Sequence, residues 1–139
     1  MTRRTLLASI VASRLRADAG SELWDLLSSM ASALAEGDAA ALLQAFDPAM
    51  PGYGELRIGV EALVRVAQLE SAVEVMRNEG DGVARSLEID WTLTITSRQD
   101  GAVMEQRRRH ATCRARKTGS KWKLVAFEPA ALFAPPAAR

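Results

Sequence analysis

The stretch Leu87 to Ile95, reading LEIDWTLTI, constrains this chain more than any other. Leu87, Ile89, Trp91, Leu93 and Ile95 fall on one side of an extended backbone. Glu88, Asp90, Thr92 and Thr94 fall on the other. Strict alternation with β-branched and aromatic residues describes a half-buried antiparallel strand. Such a strand needs neighbours for its edges and a cover for its apolar face. The chain before it reads as helices that supply the cover.

The neighbours follow from turn chemistry. Ala72 to Arg77 is a short first strand, and NEGDG at Asn78 to Gly82 turns the chain into the long strand, Val83 to Ser97. Gln99-Asp100-Gly101 fits a three-residue hairpin loop with Gly101 in the left-handed position. That loop sets Trp91 opposite Arg109, Ile89 opposite Ala111 and Leu87 opposite Cys113. Thr118-Gly119 turns the chain into a last strand, Lys121 to Glu128. The expected pairs there are Ala115 with Trp122, Cys113 with Leu124, Ala111 with Ala126 and Arg109 with Glu128. Both registers put Leu87, Ile89, Trp91, Ala111, Cys113, Ala115, Trp122, Leu124 and Ala126 on one face. A slip of one residue in either hairpin would bury Arg114 or Lys123 instead. The other face carries Glu88, Asp90, Thr92, Arg108, His110, Thr112, Arg114 and Lys123, with Val125 and Phe127 as its apolar members.

The helical half is read from apolar spacing. Ser21 caps a helix to about Glu36, with Leu23, Leu26, Leu27, Met30, Ala33 and Leu34 as its stripe. Gly37 ends it. Asp38 caps a second helix, Ala39 to Phe46, which stops at Asp47-Pro48. After a loop rich in glycine and proline, a third helix spans about Glu55 to Leu69. Its stripe is Leu56, Val60, Leu63, Val64 and Ala67.

At 139 residues the chain is one domain. A single cysteine and a single histidine leave no Cys or His cluster for a metal, so none is expected. No cofactor is expected either. No apolar run is long enough for a membrane span. The N-terminal stretch, residues 1–20, reads as a signal peptide or an N-terminal extension. Two arginines precede a short apolar run, and Ala17-Asp18-Ala19 offers small residues to a peptidase, but Arg14 and Arg16 interrupt the pattern. The main domain is 21–136, and its compartment is either exported, as a periplasmic protein would be, or cytoplasmic.

Several residues are candidates for chemistry. The expected registers make Arg109 and Glu128 an ion pair beside Trp91 on the otherwise apolar face, a structural pair or a ligand anchor. Tyr53, in the loop between helices, offers a hydroxyl at a pocket entrance, or packs as a surface aromatic. His110 lies opposite Asp90, a base pair without a nucleophile, on the outer face. The basic run from Arg107 to His110 splits between two faces, and the net charge is only +1, so nucleic acid is not an expected partner. Cys113 reads as a buried small hydrophobe.

The end of the first helix and the capped start of the second, Ala33 to Ala39, carry a resemblance. So do the Phe46-Asp47-Pro48 stop and the closing strand Lys121 to Pro129. Together they resemble the nuclear transport factor 2-like superfamily, which includes SnoaL-like polyketide cyclases and ketosteroid isomerases. The resemblance implies an α+β, cystatin-like fold: a cone-shaped curved antiparallel sheet packed against three N-terminal helices. It implies a pocket inside the cone; the expected registers give that pocket Trp91 as its apolar wall and Arg109 and Glu128 as its polar members, with Tyr53 at the entrance, for a small apolar or weakly acidic ligand. A homodimer formed partly through the outer sheet face is expected from Val125 and Phe127, apolar there among Thr92, Thr112 and opposite charges that could pair across a two-fold axis. The alternative function is a cofactor-independent isomerase, cyclase or dehydratase. No catalytic set of that superfamily maps onto this chain residue by residue.

Overall fold

The computed structural model describes residues 11–136. Among them, three helices precede a curved four-stranded antiparallel sheet, as expected. The helices are α1 (Val11–Glu36), α2 (Ala39–Leu43) and α3 (Tyr53–Val66). The strands are β1 (Ala67–Gly80), β2 (Ala84–Ser97), β3 (Val103–Thr118) and β4 (Lys121–Glu128), in spatial order β1-β2-β3-β4. A single 3-10 turn, Ala130–Phe133, follows. Helix α1 runs through Ser21, so that residue is not its cap, and Met1 to Ile10, half of the suggested leader, lie outside the described residues.

Local chemistry places each helix. Gly37 adopts φ 71° and closes α1. Its N–H donates to Leu34 O at 3.0 Å, and Asp38 N–H to Ala33 O at 2.9 Å, the paired bonds of a Schellman ending. The Asp38 carboxylate then accepts from Ala41 N, which starts α2. Helix α3 passes straight into β1 at Ala67, three residues before the helix was expected to end. Arg98 permits this abrupt change. Its backbone N–H and its guanidinium donate to Val66 O and Val64 O, carbonyls left open by the helix end. β1 is therefore much longer than Ala72 to Arg77.

The β2–β3 register is the expected one, with Trp91 opposite Arg109, Ile89 opposite Ala111 and Leu87 opposite Cys113. The β3–β4 register differs. The turn pairs Thr118 with Lys121, which sets Ala115 against Leu124 rather than Trp122. A bulge at Val125 then brings Ala126 opposite Arg114, Phe127 opposite Cys113 and Glu128 opposite Thr112. The bulge has a physical reason. An unbroken ladder from Leu124 would turn Phe127 to the outer face and Ala126 inward. The extra residue reverses them, and Phe127 is 3% exposed. Burying a phenylalanine is worth about 1.5–3 kcal/mol, more than one lost ladder bond. Phe127 is thus a core residue and not part of the outer face.

One core holds the layers together. From α1 it takes Leu23, Leu27, Met30 and Leu34, and from α3 Leu56, Val60 and Leu63. The alternating residues of β2 and Trp122 and Leu124 of β4 complete it. Trp122 Nε1 donates to Glu22 Oε1 at 2.7 Å and ties α1 to β4. That bond, with Lys117 beside it, holds the Glu22 carboxyl below the usual range.

Candidate functional site

The concave face of the sheet is where a ligand would be enclosed, and the chain lines it with aromatic rings. Trp91 and Phe133 meet edge to face at 5.2 Å, Phe133 stacks on Phe127 at 5.6 Å, and Phe127 meets Phe46 edge to face at 5.5 Å. All four are buried. Phe133 arrives from the 3-10 turn after β4, so the chain's own C-terminal segment reaches into the cone.

Arg107 seats that segment. It is 5% exposed and donates from Nη1 to Leu132 O and Ala134 O, each at 2.7 Å. Its Nε and Nη2 form a fork on Glu105, both at 2.8 Å. The guanidinium beside Glu105 holds that carboxyl below the ordinary value. On α3, Gly59 lets the segment close in: a Cβ there would stand 3.4 Å from Ala134 Cα and Phe133 O. Sequence reasoning missed Arg107, although it shares the strand parity of Arg109. The missing signal was the path of the chain beyond Glu128.

The expected site residues separate. Trp91 is fully buried on the concave face, as its alternation required. Arg109 and Glu128 are not opposite one another, because Glu128 pairs with Thr112, and both side chains are exposed. Arg109 donates to Arg108 O at 2.8 Å instead. Tyr53 opens α3 and packs partly buried against the core. Cys113 lies deep in the sheet, and burial pushes its thiol up to about 12. Two polar atoms in this region are buried without a hydrogen-bond partner: Trp91 Nε1 and Ser71 Oγ. Ser71 faces Leu93 and Val73 faces Trp91, so the two are diagonal neighbours on one face.

The outer face is charged and open. His110 Nδ1 lies 3.0 Å from Asp90 Oδ1, and its Nε2 3.5 Å from Glu88 Oε1. Arg108 reaches Asp90 at 3.2 Å, and Arg77 reaches Glu88 at 4.0 Å. The hydrogen bond from His110, then Arg108, keeps the Asp90 carboxyl below its ordinary value. Both histidine nitrogens thus face carboxylates on the open outer face, away from the concave side. Among the described residues, the buried charged side chains are Arg85 and Arg107. Among them, too, no group of three acidic, histidine or cysteine side chains is placed to hold a metal. No described helix is long and apolar enough to cross a membrane.

No protein-family model matches the chain, and a search of curated proteins found no match. Solved structures do resemble it. A conserved protein from Planctomyces limnophilus superposes with TM-score 0.70 at 16% identity, covering 81% of this chain and 94% of that one. An NTF2-like protein with a cystatin-like fold from Novosphingobium aromaticivorans gives 0.63 at 17%, covering 84% of each chain. A ketosteroid isomerase-like protein from Erwinia carotovora atroseptica gives 0.60 at 14%, covering 77% and 91%. At these identities the likeness is one of fold.

Proposed function

We propose that this chain, which has the nuclear transport factor 2-like, cystatin-like fold, is a non-catalytic module that pairs with a second copy through its outer sheet face. The observation that carries this reading is the division of charge across that face. Its β1–β2 half presents Glu70, Glu74, Glu79, Glu88 and Asp90, relieved by Arg77. Its β3–β4 half presents Arg108, His110, Arg114, Arg116 and Lys123, relieved by Glu128. Thr92, Thr94, Gln106 and Thr112 lie between.

This arrangement is self-complementary under one kind of two-fold axis. An axis along the β2–β3 boundary lays the acidic half of one copy over the basic half of the other, and the reverse contact follows by symmetry. An axis across the strands would set acid on acid. Charge therefore selects orientation as well as partner. Val125, partly buried at the bulge, adds an apolar contact that Phe127 does not.

A charge-swap experiment tests the reading. Glu88→Lys with Asp90→Lys puts positive charge in the acidic half where it would meet the partner's basic half, and Arg108→Glu with His110→Glu puts negative charge in the basic half where it would meet the partner's acidic half. Each double variant should be monomeric by light scattering, and an equimolar mixture should recover the dimer. A wild-type chain that is monomeric at tens of micromolar, about where a weak dimer still shows, overturns the proposal.

A second reading, a small apolar or weakly acidic ligand inside the cone, is favoured by the unpartnered Trp91 Nε1 and Ser71 Oγ. A buried donor without an acceptor costs about 1–3 kcal/mol, which a ligand oxygen would recover. Mass spectrometry of copurifying small molecules tests it, with Trp91→Phe expected to abolish their retention. An isomerase, cyclase or dehydratase would need an acid or base facing the cone, and the buried arginines are spent on internal hydrogen bonds.

A further inference from the structure

We infer that the outer face of the unpaired chain carries a binding site for a phosphate group, at its end nearest the β1–β2 turn, where the self-pairing proposed above would cover it. A cleft of about 120 Å³ lies there, lined by Glu79, Ser86, Arg114, Arg116 and Val125 around the Gly80 and Ala84 backbone. Arg114 stands opposite Ser86 and Arg116 opposite Ala84, so both guanidinium groups rise from the same face of β3, two residues apart.

Three features distinguish this pair from an ordinary charged surface. First, among the described residues neither arginine has a carboxylate partner, whereas Arg77 and Arg108 on the same face are paired. Second, the one carboxylate lining the cleft, Glu79, is held by Arg77 at 3.7 Å. The neighbouring lysines are also committed, Lys123 to Gln44 O at 2.8 Å and Lys117 to Glu22 at 3.3 Å. Among the described residues, Arg114 and Arg116 are the arginines at the cleft whose guanidinium groups make no hydrogen bond or ion pair within the chain, whereas Arg85 is bonded to the turn.

Third, the wall of the cleft is rigidly built. Asp81 Oδ1 accepts from Val83 N at 2.9 Å and Ala84 N at 2.8 Å. Beneath it, Arg85, only 8% exposed, donates to Asp81 O at 2.9 Å and to Asn78 O at 3.2 Å. The turn that forms one side of the cleft is thus fixed before any ligand arrives, which lowers the ordering cost of binding. Two guanidinium forks offer more donors than one carboxylate can accept. A phosphate, free or as a monoester, presents enough oxygens to engage both, with Ser86 Oγ as a further donor.

The test is a titration of the full chain with inorganic phosphate at constant ionic strength, at a chain concentration where light scattering shows monomer, read by calorimetry and by amide chemical shifts. The expected result is saturation at one ion per chain, with shifts confined to 79–86 and 114–116. Arg114→Gln and Arg116→Gln should each weaken binding at least about tenfold, equivalent to 1.4 kcal/mol. Arg57→Gln, the same charge change on α3 and away from this face, should leave it unaltered. Both arginines are exposed, so the variants should fold. Binding that fails to saturate, an equal loss in Arg57→Gln, or acetate binding as tightly as phosphate would overturn the assignment.

Discussion

Replacing Arg107 by methionine isolates the contact that seats the C-terminal segment. Methionine keeps much of the hydrocarbon stem but removes every donor. Leu132 O loses its bond in a buried setting, and an unsatisfied buried acceptor costs about 1–3 kcal/mol. Ala134 O is only partly buried and can turn to water, so it adds less. Glu105 loses its fork, but at 32% exposure its carboxylate regains solvent, which keeps the cost below the roughly 3–5 kcal/mol of breaking a fully buried pair. The expected loss is about 3 kcal/mol, a large share of the roughly 5–15 kcal/mol that holds a domain folded. It should lower the melting temperature by roughly 10 °C.

The pH dependence supplies a second readout. Glu105 titrates below its ordinary value in the folded chain, so its contribution is present above the unfolded carboxylate pKa and lost as pH falls through the folded one. Urea unfolding at neutral and acidic pH should show the Arg107→Met penalty shrinking on the acid side. Arg107→Lys, which keeps the charge without the fork, should fall between. An unchanged urea midpoint for Arg107→Met at pH 7 would refute the role given to this residue.

Other changes test the fold and its interior. Phe127→Ala should cost about 3–5 kcal/mol in urea unfolding, as expected for a buried ring, and a parent-like midpoint would return Phe127 to the surface. Cys113, with its thiol pushed up to about 12, should react with a thiol dye near pH 8 only as fast as the chain unfolds. Rapid labelling of the native protein would contradict its burial. Gly80 adopts φ 141°, and a Cβ there would stand 2.7 Å from Arg85 Cα. Gly80→Ala should therefore destabilise the chain by about 1–3 kcal/mol in urea unfolding, and a neutral result would mean that the turn relaxes freely.

The sequence was legible where one local rule decided the outcome. Between Leu87 and Cys113 the alternation, the Gln99-Asp100-Gly101 loop and the burial of Trp91 agree, and the register follows. It was opaque where two rules competed. Val64 to Leu69 keeps a helical spacing, so nothing local marks the switch to strand at Ala67; Arg98, distant in sequence, makes that switch affordable. Nor does a glycine flag the bulge at Val125, where core volume overrides the turn's register. That miss displaced Glu128 from Arg109 and hid Phe127. Arg107 was unreadable for a related reason: its acceptors are backbone carbonyls of a segment whose path is set only by tertiary packing.

The seating of Phe133 bears on the order in which the domain is made. A chain synthesised as far as β3 already contains the α1 stripe, Trp91 and Phe46, yet lacks Leu124, Phe127 and Phe133. The strand β4 docks on the loop after α2, where Asp47 N donates to Leu124 O at 2.9 Å, and this contact joins distant parts of the sequence. High contact order slows folding, and an unfinished sheet exposes both apolar surface and an open edge. The nascent domain thus passes through a sticky stage that ends only when its last element emerges. The edge left open in that interval is Thr112 to Thr118, and Arg114, Arg116 and Lys117 along it serve as gatekeepers against pairing with another chain.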